Sequence, residues 1–258
     1  MLVAERYEKI IGLINENGSM RVSELSRLCE VTEETIRRDL ARLEAAGQLR
    51  RSHGGAVSLK NQNLQPEIPY ALREVAHAAE KRRIAEEAIK LILPRDRIFL
   101  DASTTAWYMA SMLPDMEMTV LTNSVKVTME LASKEQIRVI TAGGMLTQSS
   151  LSFVGPLTER SLESYYVDKL FFSCRGIHPE RGISESNELQ ARIKAMMVER
   201  AGQAYLLADS SKFGVQAFTH VAAIGDVSMI VADDGLGEDM AESLRKQNIP
   251  LTLVGMEE

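Results

Sequence analysis

Residues 31–40 of this chain are Val-Thr-Glu-Glu-Thr-Ile-Arg-Arg-Asp-Leu. Thr32 is a residue type that caps helices, because its hydroxyl can accept a hydrogen bond from the backbone two or three residues later. Ile36, Leu40 and Leu43 follow at spacings i, i+4 and i+7, which places them on one helical face. The stretch therefore predicts a helix over about residues 33–46 whose apolar face packs inward.

The opposite face of this helix is basic. Arg38 and Arg42 project away from the apolar side at 100° per residue, and Thr35 and Arg37 flank them. The ordinary interpretation of such a face is a solvated surface on a small helical bundle. The other interpretation is a recognition helix that enters the major groove of DNA.

The neighbouring sequence favours the recognition helix. An apolar stripe at helical spacing predicts a first helix over residues 3–17, and Ser23 is expected to cap a second helix that ends at a short turn near residues 30–31. Residues 48–57 predict two short strands around a basic, glycine-containing tip, a wing that carries Arg50, Arg51 and His53. The predicted DNA-binding residues are Ser23, Thr32, Thr35, Arg37, Arg38, Arg42, Arg50, Arg51 and His53.

Charge and composition limit the class of protein. The net charge is −6, but the first sixty residues have 10 Lys and Arg against 9 Asp and Glu, so the negative charge lies in the remainder. Cys29 and Cys174 are isolated and the four histidines are scattered, which argues against a zinc site, another metal site or a disulfide framework. No apolar run reaches the roughly 18 residues that span a bilayer, so we expect a cytoplasmic protein without a membrane partner.

The remaining residues predict a second, larger domain. We expect a DNA-binding domain over 1–58, a linker over 59–70 that contains two prolines, and an α/β domain over 71–258 that binds an effector and oligomerises. The second domain should begin with a helix over about 71–92, whose basic run Lys81-Arg82-Arg83 is expected to be mainly a solvated face.

Apolar runs then alternate with amphipathic segments, which predicts a doubly wound, mainly parallel sheet. The predicted strands are 98–100, 120–121, 139–140, 170–172, 205–208, 221–224, 229–232 and 251–254. Ligands of such sheets bind beyond the carboxyl ends of the strands, so the residues that follow each strand are candidates for a binding site.

Several of these strand ends are polar or small. Asp101 is followed by Ser103, Thr104 and Thr105, which open a helix and suit a phosphate, although capping of the helix explains them equally well. The later candidates are Asn123, Ser124, Gly143, Gly144 and Lys212. Each alone is typical of an ordinary turn or a solvated lysine, whereas together at one sheet edge they predict a ligand pocket.

The chain resembles the DeoR family of bacterial regulators of sugar catabolism. The resemblance rests on Thr-Ile-Arg-Arg-Asp-Leu at 35–40, His-Gly-Gly-Ala at 53–56 and Asp-Ser-Ser-Lys-Phe at 209–213, and it continues along almost the whole chain. It implies a winged helix-turn-helix whose two helices span residues 20–39. It also implies a Rossmann-like sensor domain similar in fold to ribose-5-phosphate isomerase, glucosamine-6-phosphate deaminase and the CoA transferases.

By the same resemblance, Ser103-Thr104-Thr105 and Lys212 would hold an effector phosphate, with Asp101 and Asn123 near its hydroxyls. The chain departs from the family at Ser103, where glycine is usual, and at Ser173-Cys174-Arg175-Gly176, where a glycine-first turn is usual. We hypothesise that Arg175 contacts an effector carboxylate or phosphate beside Gly176.

The sequence therefore predicts a transcription regulator that represses a carbohydrate-utilisation operon. A phosphorylated sugar or related metabolite is expected to relieve this repression. Its partners should be double-stranded operator DNA, the small-molecule effector and further copies of itself in a dimer or tetramer, with no cofactor and no catalytic residue. The alternatives are a sugar-phosphate isomerase or deaminase fused to a DNA-binding module, and a purely architectural DNA-bridging protein.

Overall fold

The computed structural model describes residues 3–17, 19–45, 48–52, 54–58 and 67–255, and it divides the chain into two units, Met1–Gln65 and Pro66–Glu258. In the described residues of the first unit the elements are α1 (Val3–Asn17), β1 (Ser19–Arg21), α2 (Val22–Cys29), α3 (Glu33–Ala45), β2 (Leu49–Ser52) and β3 (Gly55–Ser58).

The first unit packs three helices against a small antiparallel sheet in which β3 lies between β1 and β2. Its core contains residues that the helical spacing predicted to face inward, among them Ile10, Ile14, Ile36, Leu40 and Leu43. The predicted helices over 3–17 and 33–46 and the two strands of the wing are confirmed.

The start of α2 differs from the prediction. Residues 19–21 form β1, which pairs with β3, so the backbone stays extended up to Arg21 and the helix begins at Val22. Arg21, rather than Ser23, is the capping residue, and its backbone N–H donates to the Glu24 carboxylate at 3.1 Å. The predicted cap at Ser23 is wrong because the extra strand fixes the helix start two residues earlier.

Together with short 3-10 helices at Ser210–Lys212 and Ile224–Asp226, the second unit contains the remaining α-helices and strands of the described chain. They are α4 (Tyr70–Val75), α5 (Ala78–Ile89), β4 (Arg97–Leu100), α6 (Thr104–Met112), β5 (Met118–Thr122), α7 (Val125–Leu131), β6 (Ile137–Thr141), β7 (Met145–Thr147), β8 (Ser152–Val154), α8 (Pro156–Leu162), β9 (Val167–Phe172), β10 (Gly176–His178), β11 (Gly182–Glu185), α9 (Glu188–Arg200), β12 (Ala201–Ala208), β13 (Thr219–Ala222), β14 (Met229–Asp233), α10 (Glu238–Lys246) and β15 (Leu251–Val254).

A parallel sheet organises this unit. Within the described residues its strand order is β15-β14-β12-β9-β4-β5-β6, and every neighbouring pair is parallel. One face packs against α5, α6 and α7, and the other against α8, α9 and α10. The predicted doubly wound fold is therefore confirmed, and its topological switch point lies between β4 and β9, where the chain direction across the sheet reverses.

Two predictions for this unit are wrong. Residues 221–224 were expected among the parallel strands, but β13 pairs with β11 in a small antiparallel sheet instead. The single helix over 71–92 is two helices, because Ala76 is extended and His77 has a left-handed backbone with φ 53°. Across the described stretches, no helix is long and apolar enough to cross a membrane.

Candidate functional site

The recognition-helix candidate α3 starts as the sequence predicted. The Thr35 N–H donates to the Thr32 hydroxyl at 3.3 Å, and the two hydroxyls lie 2.9 Å apart. Glu30 ends α2 with a left-handed backbone, φ 56°, and the Val31 N–H returns to the Ser26 carbonyl at 3.2 Å. This tight turn fixes α3 against α2 and leaves the outer face of α3 exposed.

Arginines cover that outer face. The Arg37 side chain is 52% exposed and lies 2.8 Å from the Glu33 carboxylate, and the Arg38 side chain is 74% exposed and lies 3.4 Å from Glu34. Exposed pairs one helical turn apart are weak, so both guanidinium groups can exchange these partners for DNA phosphates at small cost. Arg42 is also exposed, with its Nη1 atom 3.4 Å from the Tyr7 hydroxyl on α1.

Asp39 has a different role, although it adjoins these arginines in sequence. Its carboxylate is buried and accepts hydrogen bonds from Arg6 Nε at 2.6 Å and Nη2 at 3.3 Å. A bidentate arginine–carboxylate pair fixes the orientation of both partners. The pair therefore holds α1 against α3 and sets the direction in which the outer face of α3 points.

The wing is a tight hairpin whose geometry requires its glycines. Gly54 has a φ of +88°, a conformation that glycine adopts without strain. A Cβ at Gly55 would lie 2.2 Å from the Met20 carbonyl oxygen of β1, so no side chain fits there. Arg50 and Arg51 lie on β2, while His53, the remaining wing candidate, lies outside the described residues. Ser23 is exposed in the first turn of α2.

The second unit contains a cleft of about 630 Å³, including its open mouth, at the switch point of the sheet. Its wall includes the turn after β4 and the turn after β9, the place where open α/β sheets bind ligands. The lining residues are Glu67, Ile68, Arg73, Lys81, Ala102, Ser103, Thr104, Thr105, Ser150, Ser173, Cys174, Arg175, Glu185, Ser186, Gln190, Lys194 and Lys212. Ser103, Thr104, Thr105, Arg175 and Lys212 of the predicted site are among them.

Ser103 opens α6 at this cleft. Its side chain accepts from the Ala106 N–H at 3.1 Å, and its backbone is extended at φ −79°, so serine in place of a glycine introduces no strain. The amides of Thr104 and Thr105 precede the first i to i−4 bond of α6, which leaves them oriented toward the cleft end of the helix. Amides at the positive end of a helix dipole favour an anion.

Asp101 lies beneath this turn and holds it in place. One carboxylate oxygen accepts from the Ser103 N–H at 3.0 Å and the other from the Ser173 N–H at 3.2 Å. The buried carboxylate thus ties the turn after β4 to the turn after β9. In this structure Asp101 shapes the cleft from below and is not among the residues that line it.

Lys81 contradicts the expectation of a solvated face, because it is only 4% exposed and faces the cleft. Its ammonium group donates to the carbonyl oxygens of Arg73 and Ala76, which the break between α4 and α5 leaves free. Burial lowers the pKa of Lys81 to about 8. Asp209 and Glu80 oppose this shift, whereas Lys212 and Arg73 add to it.

Lys194 forms a second buried cation at the cleft. It donates to the Glu185 carboxylate and to the Ser173 carbonyl at 2.8 Å, and it lies 3.4 Å from Asp101. Burial alone would lower the pKa of Lys194, but the negative charges of Glu185 and Asp101 outweigh it and raise that pKa. Burial alone would raise the pKa of Glu185, and the Lys194 ammonium holds it below its ordinary value. Both groups therefore stay charged.

The other predicted site residues have packing or capping roles in the structure. Ser124 caps α7, and Asn123 donates to the Phe153 carbonyl at 3.0 Å. A Cβ at Gly144 would lie 2.0 Å from the Thr158 hydroxyl, and one at Gly176 would lie 2.4 Å from the Val215 carbonyl. The Gly143 carbonyl accepts from Thr158 at 2.9 Å. None of these five lies among the described residues that line the cleft.

Comparison with known proteins identifies the family. Residues 6–62 match the family model described as the DeoR-like helix-turn-helix domain, and residues 76–234 match the DeoR C terminal sensor domain. The chain belongs to the DeoR family. It is a DNA-binding transcriptional regulator of the helix-turn-helix type, with a sensor domain that follows its DNA-binding domain.

Curated DeoR relatives match over nearly their whole length. The uncharacterized HTH-type transcriptional regulator YulB of Bacillus subtilis is 52% identical over 254 residues, with 98% of each chain covered. The L-fucose operon activator of Haemophilus influenzae is 38% identical over 248 residues, which cover 96% of this chain and 99% of that one.

Among solved structures, ribose 5-phosphate isomerase A from Methanocaldococcus jannaschii aligns with 54% of this chain and 55% of its own at 18% identity and a TM-score of 0.40.

Sequence reasoning missed much of the cleft in the DeoR sensor domain. Glu67 and Arg73 lie in the predicted linker and first helix, and Glu185, Gln190 and Lys194 lie around α9. The sequence contained a signal for Lys194, because this lysine lies on the same face of α9 as Ile193 and Met197, which are apolar and pack inward. No sequence pattern marked Glu67 as a cleft residue, because only the fold brings its carboxylate to Asn187, 120 residues away along the chain.

Proposed function

We propose that this DeoR protein represses a carbohydrate-utilisation operon and that a phosphorylated sugar or related metabolite, bound in the cleft, weakens its grip on operator DNA. The observation that carries the proposal is the composition of the cleft. The first-turn amides of α6, at Thr104 and Thr105, open at the sheet switch point beside Lys81 and Lys212. A phosphate monoester is the small anion that such a combination suits.

Charge balance supports an anionic ligand. Lys194 is committed to Glu185, and Arg73 lies 3.7 Å from Glu67. Lys212 is 4.0 Å from Asp209, and no carboxylate of the described chain lies within ion-pair distance of Lys81. Next to the amides of α6, Lys81 thus has no carboxylate partner among the described residues, and Lys212 has only the long contact with Asp209. A sugar phosphate carries about 1.5 to 2 negative charges at pH 7 and would balance them.

The polar groups on the other side of the cleft suit a sugar. Gln190 Nε2 donates to Ser150 at 3.0 Å, and Glu185, Ser186 and Arg175 add further donors and acceptors to the same wall. Hydroxyl-rich ligands need such alternating partners. Relatives named as an L-fucose operon activator and a putative aga operon transcriptional repressor also support a carbohydrate operon as the target.

The DNA side of the proposal rests on α3 and the wing. The arginines of α3 would contact phosphates or base edges in the major groove, namely Arg37, Arg38 and Arg42. Thr32 and Thr35 at the start of α3, and Ser23 on α2, would contact the sugar-phosphate backbone of the DNA. Arg50, Arg51 and His53 would add wing contacts. One such module reads few base pairs, so we propose a dimer or tetramer that joins through residues 71–258 and reads repeated half-sites.

We propose sensing without turnover. Glu185 is held as a carboxylate by Lys194, and burial raises the pKa of the Cys174 thiol to about 12, which keeps it protonated and unreactive. Lys81, with a pKa of about 8, exchanges a proton near neutral pH, but its ammonium group is bonded to the Arg73 and Ala76 carbonyls, and an isomerase or deaminase would need both a positioned acid and a positioned base. Incubation of the purified chain with sugar phosphates, followed by product analysis, should show no conversion.

The decisive experiment is a mobility-shift titration on the DNA upstream of the gene with a panel of sugar phosphates and their free sugars. Trp107, one turn into α6 with its indole N–H bonded to Glu130 at 3.1 Å, supplies a fluorescence signal for the same panel. We expect a phosphorylated sugar, and not the free sugar, to change both signals. Lys212→Ala should weaken this response, whereas Lys246→Ala, on the exposed side of α10, should not.

The proposal fails if free and phosphorylated sugars bind equally, or if bound sugar phosphate leaves DNA affinity unchanged. Loss of DNA binding on effector release, measured in the same assay, would reverse the sign from repression to activation. Sedimentation of the chain at several concentrations tests the proposed dimer or tetramer.

A further inference from the structure

The segment Glu67–Ala76, called the strap here, is bonded to elements on several sides of the cleft. Glu67 accepts from Ser149 Oγ at 2.7 Å and from Asn187 Nδ2 at 3.0 Å, and the Tyr70 N–H donates to the Ser149 carbonyl at 2.7 Å. The strap therefore bridges the loop before β8 and the start of α9. It is also the first part of the second unit that follows the DNA-binding unit along the chain.

The strap is held from below as well. The Tyr108 hydroxyl of α6 donates to the Glu74 carbonyl at 3.1 Å, and Lys126 of α7 lies 3.6 Å from the Glu74 carboxylate. Arg73 closes the segment on itself through a 2.9 Å bond from its Nε to the Ile68 carbonyl. Since Glu67, Ile68 and Arg73 line the cleft, a ligand in the cleft lies against the strap.

Lys81 connects the strap to the ligand position. An ammonium group has three N–H bonds, and Lys81 uses two of them on the carbonyls of Arg73 and Ala76 at the end of α4. These carbonyls belong to a helix terminus and have no intrahelical partner to replace Lys81. Within the part of the chain that the structure describes, these two carbonyls are the acceptors bonded to Lys81 Nζ, which leaves the third N–H for an acceptor in the cleft that Lys81 lines.

We propose that Lys81 is the coupling residue of this regulator: it binds the effector phosphate with its third N–H while the other two hold the end of α4, so that an occupied cleft orders the strap. The inference rests on the proposed function for its ligand. A phosphate beside Lys81 keeps the ammonium charged and strengthens both bonds to the strap. The strap is the first described segment after the DNA-binding unit along the chain, so its ordering is the step through which ligand binding would be transmitted toward that unit.

The test is hydrogen–deuterium exchange of the full chain with and without saturating inorganic phosphate. In the wild-type chain we expect phosphate to slow exchange in two places, the start of α6 around Thr104 and Thr105 and the strap amides of Leu72, Arg73 and Ala76. The strap amides should slow by about tenfold, the factor that corresponds to one added hydrogen bond from a charged group.

Lys81→Met separates binding from coupling. Methionine fills the same buried space without donors, so phosphate should still slow exchange at the start of α6, at higher concentration, while the strap no longer responds. Lys90→Met is the matched control, because Lys90 is at the exposed end of the same helix beside Glu87. It should behave as wild type in both places.

The results of this experiment separate a failure of the coupling by Lys81 from a failure of the proposed phosphate site. Slower exchange at α6 with an unchanged strap in the wild-type chain overturns the coupling and leaves the phosphate site intact. A strap that still responds fully in Lys81→Met also overturns it. Unchanged exchange in both places overturns the coupling and the phosphate site together. The wild-type comparison decides the question even if Lys81→Met does not fold.

Discussion

Asp39→Ala should unfold the DNA-binding unit although Asp39 is buried and lies away from the exposed arginines of α3. The side chains of Asp39 and Arg6 are 4% and 11% exposed, and they share two hydrogen bonds. Removal of the carboxylate leaves the Arg6 guanidinium nearly buried without its anion.

The expected loss of stability is large for so small a unit. A buried ion pair that loses one partner costs about 3–5 kcal/mol, because the remaining charge has no compensation. A core of about 60 residues rarely supplies more than about 3–5 kcal/mol in total. Asp39→Ala should therefore leave half or more of the DNA-binding units unfolded at 25 °C, and operator affinity should fall in proportion.

Circular dichroism and calorimetry of the full chain measure this directly, since the two units should unfold in separate transitions. The lower transition should disappear or shift by tens of degrees in Asp39→Ala. Glu34→Ala is the control on the same helix, because it removes an exposed partner of Arg38 and should change stability by less than about 1 kcal/mol.

The double variant Arg6→Met/Asp39→Leu removes both charges together. It replaces the pair by apolar side chains of similar volume and should recover most of the lost stability. An Asp39→Ala chain that keeps its lower transition within about 1 kcal/mol of wild type would refute the structural role of the pair.

Three further predictions follow from other parts of the molecule. Arg38→Ala should weaken operator binding, with a fall of about one unit in the slope of log affinity against log salt if Arg38 contacts a phosphate and a relaxed sequence preference if it reads a base, while Arg245→Ala on α10 should change neither; unchanged affinity, slope and sequence preference in Arg38→Ala would remove this residue from the interface. Because burial lowers the pKa of Lys81 to about 8, sugar-phosphate affinity measured by calorimetry should fall as pH rises through 8, by up to about tenfold per unit, and Lys81→Met should abolish that dependence. Gly144→Ala should lower stability by about 1–3 kcal/mol, because its Cβ would overlap Thr158, yet leave sugar-phosphate affinity within about twofold; the reverse pattern would place Gly144 in the binding site.

The elements whose residues repeat with a clear period were predictable. The apolar stripe of α3 and the cap at Thr32 are local patterns, and the structure reproduces both. The parallel strands were predictable because strands buried on both faces, such as Leu170–Phe172, are continuous apolar runs. Local periodicity could not predict β1, which has three residues and exists through its pairing with β3.

The break between α4 and α5 escaped prediction for a related reason. His77 adopts a left-handed backbone in a sequence without glycine or proline, so no local signal marks the break. The carbonyl groups that the break leaves without backbone partners accept hydrogen bonds from the Lys81 ammonium group, which lies one turn further along the chain in α5. Lys81 was predicted to be solvated because a lysine in a basic run on an isolated helix would be surrounded by water.

The site shows why the strand-end rule succeeded only in part. Residues that directly follow β4 and β9 reached the cleft because the switch point separates these two strands, whereas Asn123 and Ser124 follow β5, one strand further along the sheet. The rule identifies an edge of the sheet, and the strand order selects the position on that edge. Strand order is set by long-range pairing, so a single sequence predicts which residues meet the edge but not which of them meet each other. Charged side chains such as Lys194 enter the cleft from helices on a face of the sheet, and their burial depends on partners, here Glu185 and Asp101, that only this strand order brings within reach.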